Sequence, residues 1–424
     1  MLTQQDNDFL TQVGHGTPMG ELWRRFWLPA LLPAELPDPD CPPVRHQLLG
    51  ENLVLFRDTT GRVGAIADSC PHRGASLFFG RNEEDGLRCV YHGWKFDTSG
   101  TCVDMPNEPA ESNFKHKIRA TAYPARDWGG LIWVYMGPPQ LEPALPQIEL
   151  CLVPDSHRYI GKALHENNFA QGIEGDIDSA HVSFLHRTFD PSAEANQARR
   201  GTEFYEDLAP RLTFKETDYG FVYGARRTRT DGSYYWRVTQ TLLPTWTLIP
   251  GPTWPCSGHA YIPMDDHHTW VFGYTFNPKQ PLDPQHVENF KRGGGLAAQV
   301  HPGTFKPVLN KENDYGIDRD VQRTRTYTGI FGGNAQDRAI VESMGYVLDR
   351  TVEHLGTSDI AVITFRRILM KLAQQLQKGV EPYAATHGDV YRVRRLDVVD
   401  PEAEFGMLLG KHAEVMHVPS ASPA

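Results

Sequence analysis

Two short stretches of the sequence each offer one thiol and one imidazole. The first contains Cys70 and His72, and the second, after sixteen intervening residues, contains Cys89 and His92. If two neighbouring loops bring these side chains together, two thiolates can bind one iron of a sulfide-bridged pair while two imidazoles bind the other. Thiolates suit a ferric centre, and neutral imidazoles raise its reduction potential above that of an all-cysteine cluster. The pattern therefore predicts a site that relays electrons.

Two simpler interpretations of these four residues are less favoured. Free cysteines and buried histidines are common in protein cores, and two thiols with two imidazoles can also bind zinc. Zinc fingers usually place a cysteine pair before a histidine pair, whereas here the two residue types alternate. Pro71, Gly74 and Gly93 favour loop shapes suited to a cluster. The arrangement closely resembles the Rieske [2Fe-2S] motif.

A second group lies downstream, where Asp178, His181 and His186 follow one another closely. On a regular helix Asp178 and His181 would lie about 60° apart and could touch. His181 and His186 would lie about 140° apart, too wide to aim both rings at one ion, so we expect a bulge or a helix end between them. Isolated structural histidines are the simpler explanation. The upstream motif favours instead the two-histidine, one-carboxylate triad of non-haem Fe(II) oxygenases, which leaves open positions for O2.

Together these motifs resemble, over nearly the whole chain, the catalytic oxygenase component of the Rieske non-haem iron aromatic oxygenases, most closely the phthalate 4,5-dioxygenase type. Four further stretches carry the resemblance: 80–84, 91–97, 103–106 and 342–345. The resemblance implies two cofactors, a [2Fe-2S] cluster and a mononuclear Fe(II). Its implied cluster ligands are Cys70, His72, Cys89 and His92.

The resemblance also implies the ligands of the mononuclear iron. Two of them are His181 and His186, and the third is an aspartate late in the chain. Asp359 is preferred for this third position over Asp349, and Glu353 is the fallback.

A role for Asp178 and an oligomeric state follow from the same resemblance. Asp178 is implied to link His181 by hydrogen bonds to His92 of the partner subunit, which gives electrons a short polar path. We therefore expect a homo-oligomeric ring, a trimer or a hexamer.

The implied reaction uses O2 and electrons that a separate reductase supplies through the cluster. The resemblance implies that NADH and FMN bind only to that reductase. This chain has no Gly-x-Gly-x-x-Gly motif opening a βαβ unit, so no nicotinamide site is expected here. An aromatic carboxylate is the expected substrate, and phthalate-like dihydroxylation of its ring is the expected outcome. O-demethylation of a methoxylated aromatic acid by monooxygenation stays open. A Rieske electron-transfer protein would hold the cluster alone, and a zinc-stapled binding module would be colourless.

A buried substrate carboxylate would need a cationic partner. Candidate arginines lie on two predicted neighbouring strands: Arg226, Arg227, Arg229 and Arg237. Most arginines on a sheet face solvent, so the sequence does not identify the anchor.

The chain has 424 residues, of which 40% are apolar, enough to fill about two domain cores. Strand-like runs separated by turn residues indicate an α+β protein, with a small all-β Rieske domain and a larger domain whose antiparallel sheet is flanked by helices. A stiff proline-rich connector separates them. The predicted parts are an N-terminal segment 1–42, the Rieske domain 43–137, the linker 138–147 and the catalytic domain 148–424.

The net charge of −10 argues against nucleic acid or an anionic membrane as a partner. The sequence shows no secretory signal pattern and no apolar run of about 20 residues, so a cytoplasmic enzyme is expected.

Overall fold

The computed structural model describes residues 1–109, 111–189, 203–251 and 254–419. It divides into a smaller unit, Val13–Leu145, and a larger unit, Met1–Gln12 with Pro146–Ala424. The chain leaves the smaller unit inside the predicted linker 138–147. The predicted N-terminal segment 1–42 is not a separate part, because residues 1–12 belong to the larger unit and residues 13–42 to the smaller one.

Antiparallel strands build the smaller unit. They are β1 (Trp27–Leu31), β2 (Val44–Leu48), β3 (Glu51–Arg57), β4 (Val63–Ala67), β5 (Arg81–Glu83), β6 (Gly86–Arg88), β7 (Lys95–Phe96), β8 (Cys102–Asp104), β9 (Ala122–Tyr123), β10 (Ala125–Trp128) and β11 (Leu131–Tyr135). Their sheets have the orders β2-β3-β4-β9, β1-β11-β10 and β5-β6-β7-β8. The loops that carry the two Cys/His motifs follow β4 and β6, and Cys70 and Cys89 lie in an apolar core with Leu77, Leu87 and Phe96.

One antiparallel sheet dominates the larger unit. Its strands are β12 (Arg158–His165), β13 (Arg211–Thr217), β14 (Gly220–Thr228), β15 (Tyr234–Leu242), β16 (Trp246–Ile249), β17 (Cys256–Pro263), β18 (Thr269–Phe276) and β19 (Leu396–Asp400). The strand order is β12-β18-β17-β16-β15-β14-β13, and β19 pairs with β15. In the turn between β14 and β15, Gly232 has a φ of +84°, which favours glycine.

Helices cover this sheet, and they confirm the predicted α+β class. The α-helices within the described residues are α1 (Gln4–Thr11), α2 (Pro18–Trp23), α3 (Glu149–Leu152), α4 (Phe169–Asp176), α5 (Glu203–Glu206), α6 (Pro284–Lys291), α7 (Arg319–Thr324), α8 (Gly333–Ser343), α9 (Ile360–Gln377), α10 (Tyr383–Thr386) and α11 (Phe405–Lys411). Helix α4 packs against β17 and α8. In the described ranges, none of the helices combines the length and the apolar composition that a bilayer crossing requires.

A buried ion cluster ties α4 to α9. Glu174 accepts hydrogen bonds from Arg350 at 3.0 Å and from Arg366 at 2.8 and 3.0 Å. Arg366 also binds Glu353. Burial alone would raise the pKa of Glu174, but Arg350 and Arg366 outweigh burial and hold that pKa below its ordinary value. Removing one member would leave the others charged in a dry interior.

We expect Glu174→Gln to lower the apparent free energy of unfolding by about 3–5 kcal/mol, because it breaks a buried ion pair. A lowered carboxyl pKa stabilises the fold above the unfolded pKa and loses this contribution as the pH falls through the folded pKa. The difference in free energy of unfolding between the parent and the variant should therefore become smaller at acidic pH. Glu216→Gln is the control, since Glu216 also pairs with two cations of α9, Arg367 and Lys371, but on the surface. Urea-induced unfolding measures both variants, and an equal loss of unfolding free energy in Glu174→Gln and Glu216→Gln would contradict this interpretation.

Candidate metal centres

The two loops of the smaller unit share one backbone pattern. In each loop the cysteine N–H donates to the carbonyl five residues on, and the glycine four residues on donates back to the cysteine carbonyl, at 2.8 to 3.0 Å. Gly74 and Gly93 both have a φ of +77°, a left-handed conformation that glycine adopts without strain. The alternating motif therefore folds into two matching hairpin-like loops.

These loops bring the four predicted cluster residues together. The thiols of Cys70 and Cys89 contact each other, and burial, followed by the neighbouring cysteines, raises the pKa of Cys70 to about 11. The rings of His72 and His92 lie 4.4 Å apart between centroids. His92 Nδ1 is buried and has no hydrogen-bond partner among the described residues, which is costly unless a ligand satisfies it. Two thiols and two imidazoles at one place fit a Rieske cluster.

An aromatic contact holds one imidazole in place. The ring of His72 stacks on the indole of Trp94, with centroids 4.2 Å apart and planes 13° apart. The indole N–H of Trp94 donates to Asn107 Oδ1 at 2.7 Å, which fixes its orientation.

A helix end positions the histidines of the larger unit. Helix α4 stops at Asp176, and His181 opens a separate 3₁₀ turn, His181–Ser183. Asp178 Oδ1 accepts from the N–H of Ala180 at 2.7 Å and so shapes the connecting turn. Helix α4 thus ends before both histidines, and only the short 3₁₀ turn ends between them, at Ser183. No continuous helix separates the two rings, and they converge.

Asp337 completes this group from α8. The Nε2 atoms of His181 and His186 lie 3.3 Å apart, and Asp337 Oδ1 lies 3.7 and 3.0 Å from them. All three ligand atoms fall within 4.8 Å of one another. Burial would raise the pKa of Asp337, but the two imidazoles outweigh it and lower that pKa. Two imidazole nitrogens and one carboxylate oxygen at these spacings fit a facial Fe(II) triad.

The expectation that Asp359 would complete the triad is corrected. Its carboxylate accepts from the N–H of Gly356 at 2.6 Å, at the start of α9. The other two candidates are also engaged elsewhere, since Asp349 binds Thr351 and Glu353 binds Arg366. All three acids lie near the start of α9, whereas the carboxylate beside the imidazoles comes from the preceding helix.

Sequence reasoning missed Asp337 and its neighbour Gln336. A signal was present, because α8 buries several polar side chains, an unusual burden for a short helix: Asn334, Gln336, Arg338 and Glu342. The helix also begins at Gly332, whose φ is +83° and where a Cβ would lie 2.5 Å from Gly293 O. Close packing at the helix start therefore requires glycine.

The Nδ1 atoms of His181 and His186, which are the ring nitrogens not facing Asp337, each have a polar neighbour. His186 Nδ1 lies 2.7 Å from Gln336 Oε1, and Gln336 Nε2 donates to Ile330 O at 2.8 Å. His181 Nδ1 lies 3.6 Å from Asp178 Oδ2. Burial alone would raise the pKa of Asp178, but His181 and the backbone N–H groups outweigh burial and hold that pKa below its ordinary value. Such partners orient a metal-bound imidazole so that Nε2 faces the ion.

We expect Asp337→Asn to remove about one iron per chain while the visible absorption of the cluster persists, because the triad loses its only charged ligand. Asp359→Asn is the matched control and should leave the iron content unchanged. Metal analysis combined with absorption spectroscopy makes the comparison. If only the Asp359 variant lost iron, Asp359 and not Asp337 would be the third ligand.

Comparisons with known proteins agree with this geometry. A family model described as Rieske [2Fe-2S] domain matches residues 26–122, and one described as LigXa C-terminal domain like matches residues 134–399. The chain is 38% identical over 405 residues to the 3-chlorobenzoate-3,4-dioxygenase oxygenase subunit of Comamonas testosteroni, covering 92% of this chain and 93% of that protein. It is 40% identical over 394 residues to the phthalate 4,5-dioxygenase oxygenase subunit of Pseudomonas putida, covering 89% and 88%.

A third relative is the 5,5'-dehydrodivanillate O-demethylase oxygenase subunit of Sphingobium sp., 33% identical over 393 residues, with 91% of this chain and 83% of that protein covered. Similarity to oxygenase subunits along nearly the full chain favours an oxygenase over an electron-transfer protein or a zinc-stapled module. The cofactors of the chain are accordingly a Rieske cluster and a mononuclear iron. The chain therefore belongs to the Rieske non-haem iron oxygenases, as an oxygenase subunit.

Proposed function

We propose that this oxygenase hydroxylates the ring of an aromatic carboxylate. The cluster is held by Cys70, His72, Cys89 and His92, and the iron by His181, His186 and Asp337. When bound, the two centres supply electrons and the activation of O2. The chain's own residues bind the substrate beside the iron and orient the metal ligands.

The observation that carries this proposal is a pair of buried guanidinium groups beside the iron loop. Arg227 is fully buried and Arg237 is 5% exposed. Their guanidinium carbons lie 4.7 and 5.3 Å from the centroid of the Phe204 ring, so the two cations flank one aromatic side chain. Arg227 Nη2 donates to Ser179 O at 2.8 Å and to Ser183 Oγ at 3.3 Å, which places this pair next to the loop of Asp178 and His181.

Neither cation forms a salt bridge within the described stretches of the chain, and the nearest acid that acts on Arg227 is Asp207. Arg227 Nη1 and Arg237 Nε are buried and have no hydrogen-bond partner there. Burial, followed by the nearby Arg237, lowers the pKa of Arg227 to about 10. Two adjacent buried cations are costly unless an anion joins them. A substrate carboxylate provides that anion, in agreement with the acidic substrates in the names of the first two relatives.

O-demethylation of a methoxylated aromatic acid is the second candidate, and the similarity to an O-demethylase subunit favours it. Both reactions use the same metals and the same anion site. Mass spectrometry of the products from benzoate, phthalate isomers and methoxybenzoates, with reductase supplied, separates a dihydroxylated ring from a demethylated one.

The proposal includes a ring of subunits in the cytoplasm, a trimer or a hexamer, served by a separate NADH-dependent reductase with FMN. In that ring Asp178 joins His181 to His92 of the partner subunit. The position of Asp178 beside the Nδ1 of His181 supports this role. None of the six cysteines, all of which lie in the described ranges, forms a disulfide, which suits a reducing compartment.

We expect Arg237→Gln to lower kcat/KM for the preferred aromatic acid about 10- to 100-fold, because charge-assisted hydrogen bonds to the carboxylate are lost. The uncharged amide analogue of the same acid should lose much less. Arg229→Gln is the matched control, since Arg229 faces Glu203 and Asp231 at 3.9 Å and is 29% exposed. Equal losses for acid and amide would contradict the anchor.

Asp178→Asn should leave both metals bound yet slow product formation at least about tenfold, because a bridge between two imidazoles needs the carboxylate. Asp318→Asn is the control: both aspartates accept the backbone N–H groups two and three residues on, but Asp318 has no imidazole beside it among the described residues. Product formation at full metal occupancy is the measurement. Unchanged turnover in the Asp178 variant would end the bridging role.

A further inference from the structure

The three side chains of the iron triad differ in what supports them. His181 has Asp178 and His186 has Gln336 as an outer partner. Asp337, within the described ranges, contacts only the two imidazoles through its carboxylate. Once those imidazole nitrogens bind a metal, the carboxylate has no hydrogen-bond donor left among the described side chains. Metal-bound carboxylates in proteins are normally hydrogen-bonded by a further group.

A small cavity lies against Asp337, between α4, α8 and the sheet. Its volume is about 20 Å³, and its polar lining includes His165, Asp176, His259, Tyr261 and Asp337. A water molecule needs roughly 10–15 Å³ of such space and at least two polar partners. The cavity therefore has room for a single water.

Most of the polar atoms in this wall are already engaged. Asp176 accepts from His259 Nδ1 at 2.9 and 3.0 Å, from Tyr261 Oη at 2.9 Å and from the hydroxyl of Thr247. His259 Nε2 is 2.7 Å from Leu296 O. Both nitrogens of that ring and both carboxylate oxygens of Asp176 are thus used inside the wall.

Two nitrogens of the lining are exceptions. Arg338 Nε has no hydrogen-bond partner among the described residues but lies 3.8 Å from Glu342 Oε1. The side chain of His165 is 5% exposed, and its Nε2 is buried without a hydrogen-bond partner among the described residues. Burial, followed by the nearby Arg338, lowers the pKa of His165 well below its ordinary value, so the ring is neutral. A neutral imidazole nitrogen left unpaired in a protein interior is costly unless another polar group or a water molecule satisfies it.

We propose that a water molecule in this cavity joins His165 Nε2 to the carboxylate of Asp337, which makes His165 a positioning residue for the iron. The water accepts from or donates to the imidazole and donates to a carboxylate oxygen. It completes a pattern in which each iron ligand has one outer partner: Asp178, Gln336 and the water on His165. This inference rests on the proposed iron ligands and is independent of the substrate.

The decisive comparison uses the intact chain with its cluster retained and the mononuclear iron removed by a chelator. Fe(II) is added back without oxygen, and the site is examined by electron paramagnetic resonance of its nitric oxide adduct. We expect His165→Phe to weaken Fe(II) binding about tenfold or more and to change the spectrum, as loss of outer partners does. His165→Gln, which restores a hydrogen-bonding group, should bind iron within about threefold of the parent.

His286→Phe is the matched control, because it makes the same change at a half-buried histidine that bonds Thr275 and does not line the cavity. It should leave iron binding and the spectrum unaltered. Parent-like binding and an unaltered spectrum in His165→Phe would overturn the inference while leaving the iron ligands intact. A parent chain that binds no mononuclear iron would overturn both.

If His165→Phe fails to fold, a high-resolution crystal structure of the iron-loaded parent tests directly whether a water joins His165 to Asp337. We expect an ordered water within hydrogen-bonding distance of His165 Nε2 and an Asp337 oxygen. A dry cavity would overturn the inference.

Discussion

The convergence of His181 and His186 is the constraint on which the larger unit depends. Two residues five apart on a continuous helix point about 140° from each other. The chain resolves this conflict by ending α4 at Asp176 and starting a new turn at His181. Everything that holds this interruption in place, including the Asp178 cap and the bonds from Arg227 to the loop, serves the iron site.

A helix that ends in the protein interior leaves backbone and side-chain polar groups that need hydrogen-bond partners. In the larger unit, buried charged side chains supply many of these partners. Glu174 joins α4 to Arg350 and Arg366, and Asp176 binds the hydroxyls and the imidazole of the sheet beneath it. Helix α8 adds Gln336 and Asp337 from the other side. The polar interior is thus a consequence of building a metal site from a helix end. Among the buried polar groups that the described residues leave without a hydrogen-bond partner are Arg227 Nη1, Arg237 Nε and His165 Nε2.

The sequence predicted the parts of this arrangement that local pattern controls. Strand-like runs predicted that Arg226 and Arg237 lie on neighbouring strands, which are β14 and β15, and the angular argument excluded one regular helix through both histidines. The alternating Cys/His motif predicted one cluster from two loops because ligand and glycine spacing are local properties. Asp337 could not be found in this way. It lies far along the chain from His186, and only tertiary packing of α8 on α4 distinguishes it from Asp359.

The central claim is that this chain alone holds both metal centres: the cluster stores electrons, and the iron uses them to oxidise an aromatic acid with O2. A single-turnover experiment tests it most directly: the purified protein is reduced chemically, freed of reductant and exposed to O2 with the acid, with no reductase present. The account predicts hydroxylated or demethylated product in the same reaction that oxidises the cluster. Oxidation of the cluster without any product, in protein with both metals fully loaded, would contradict it.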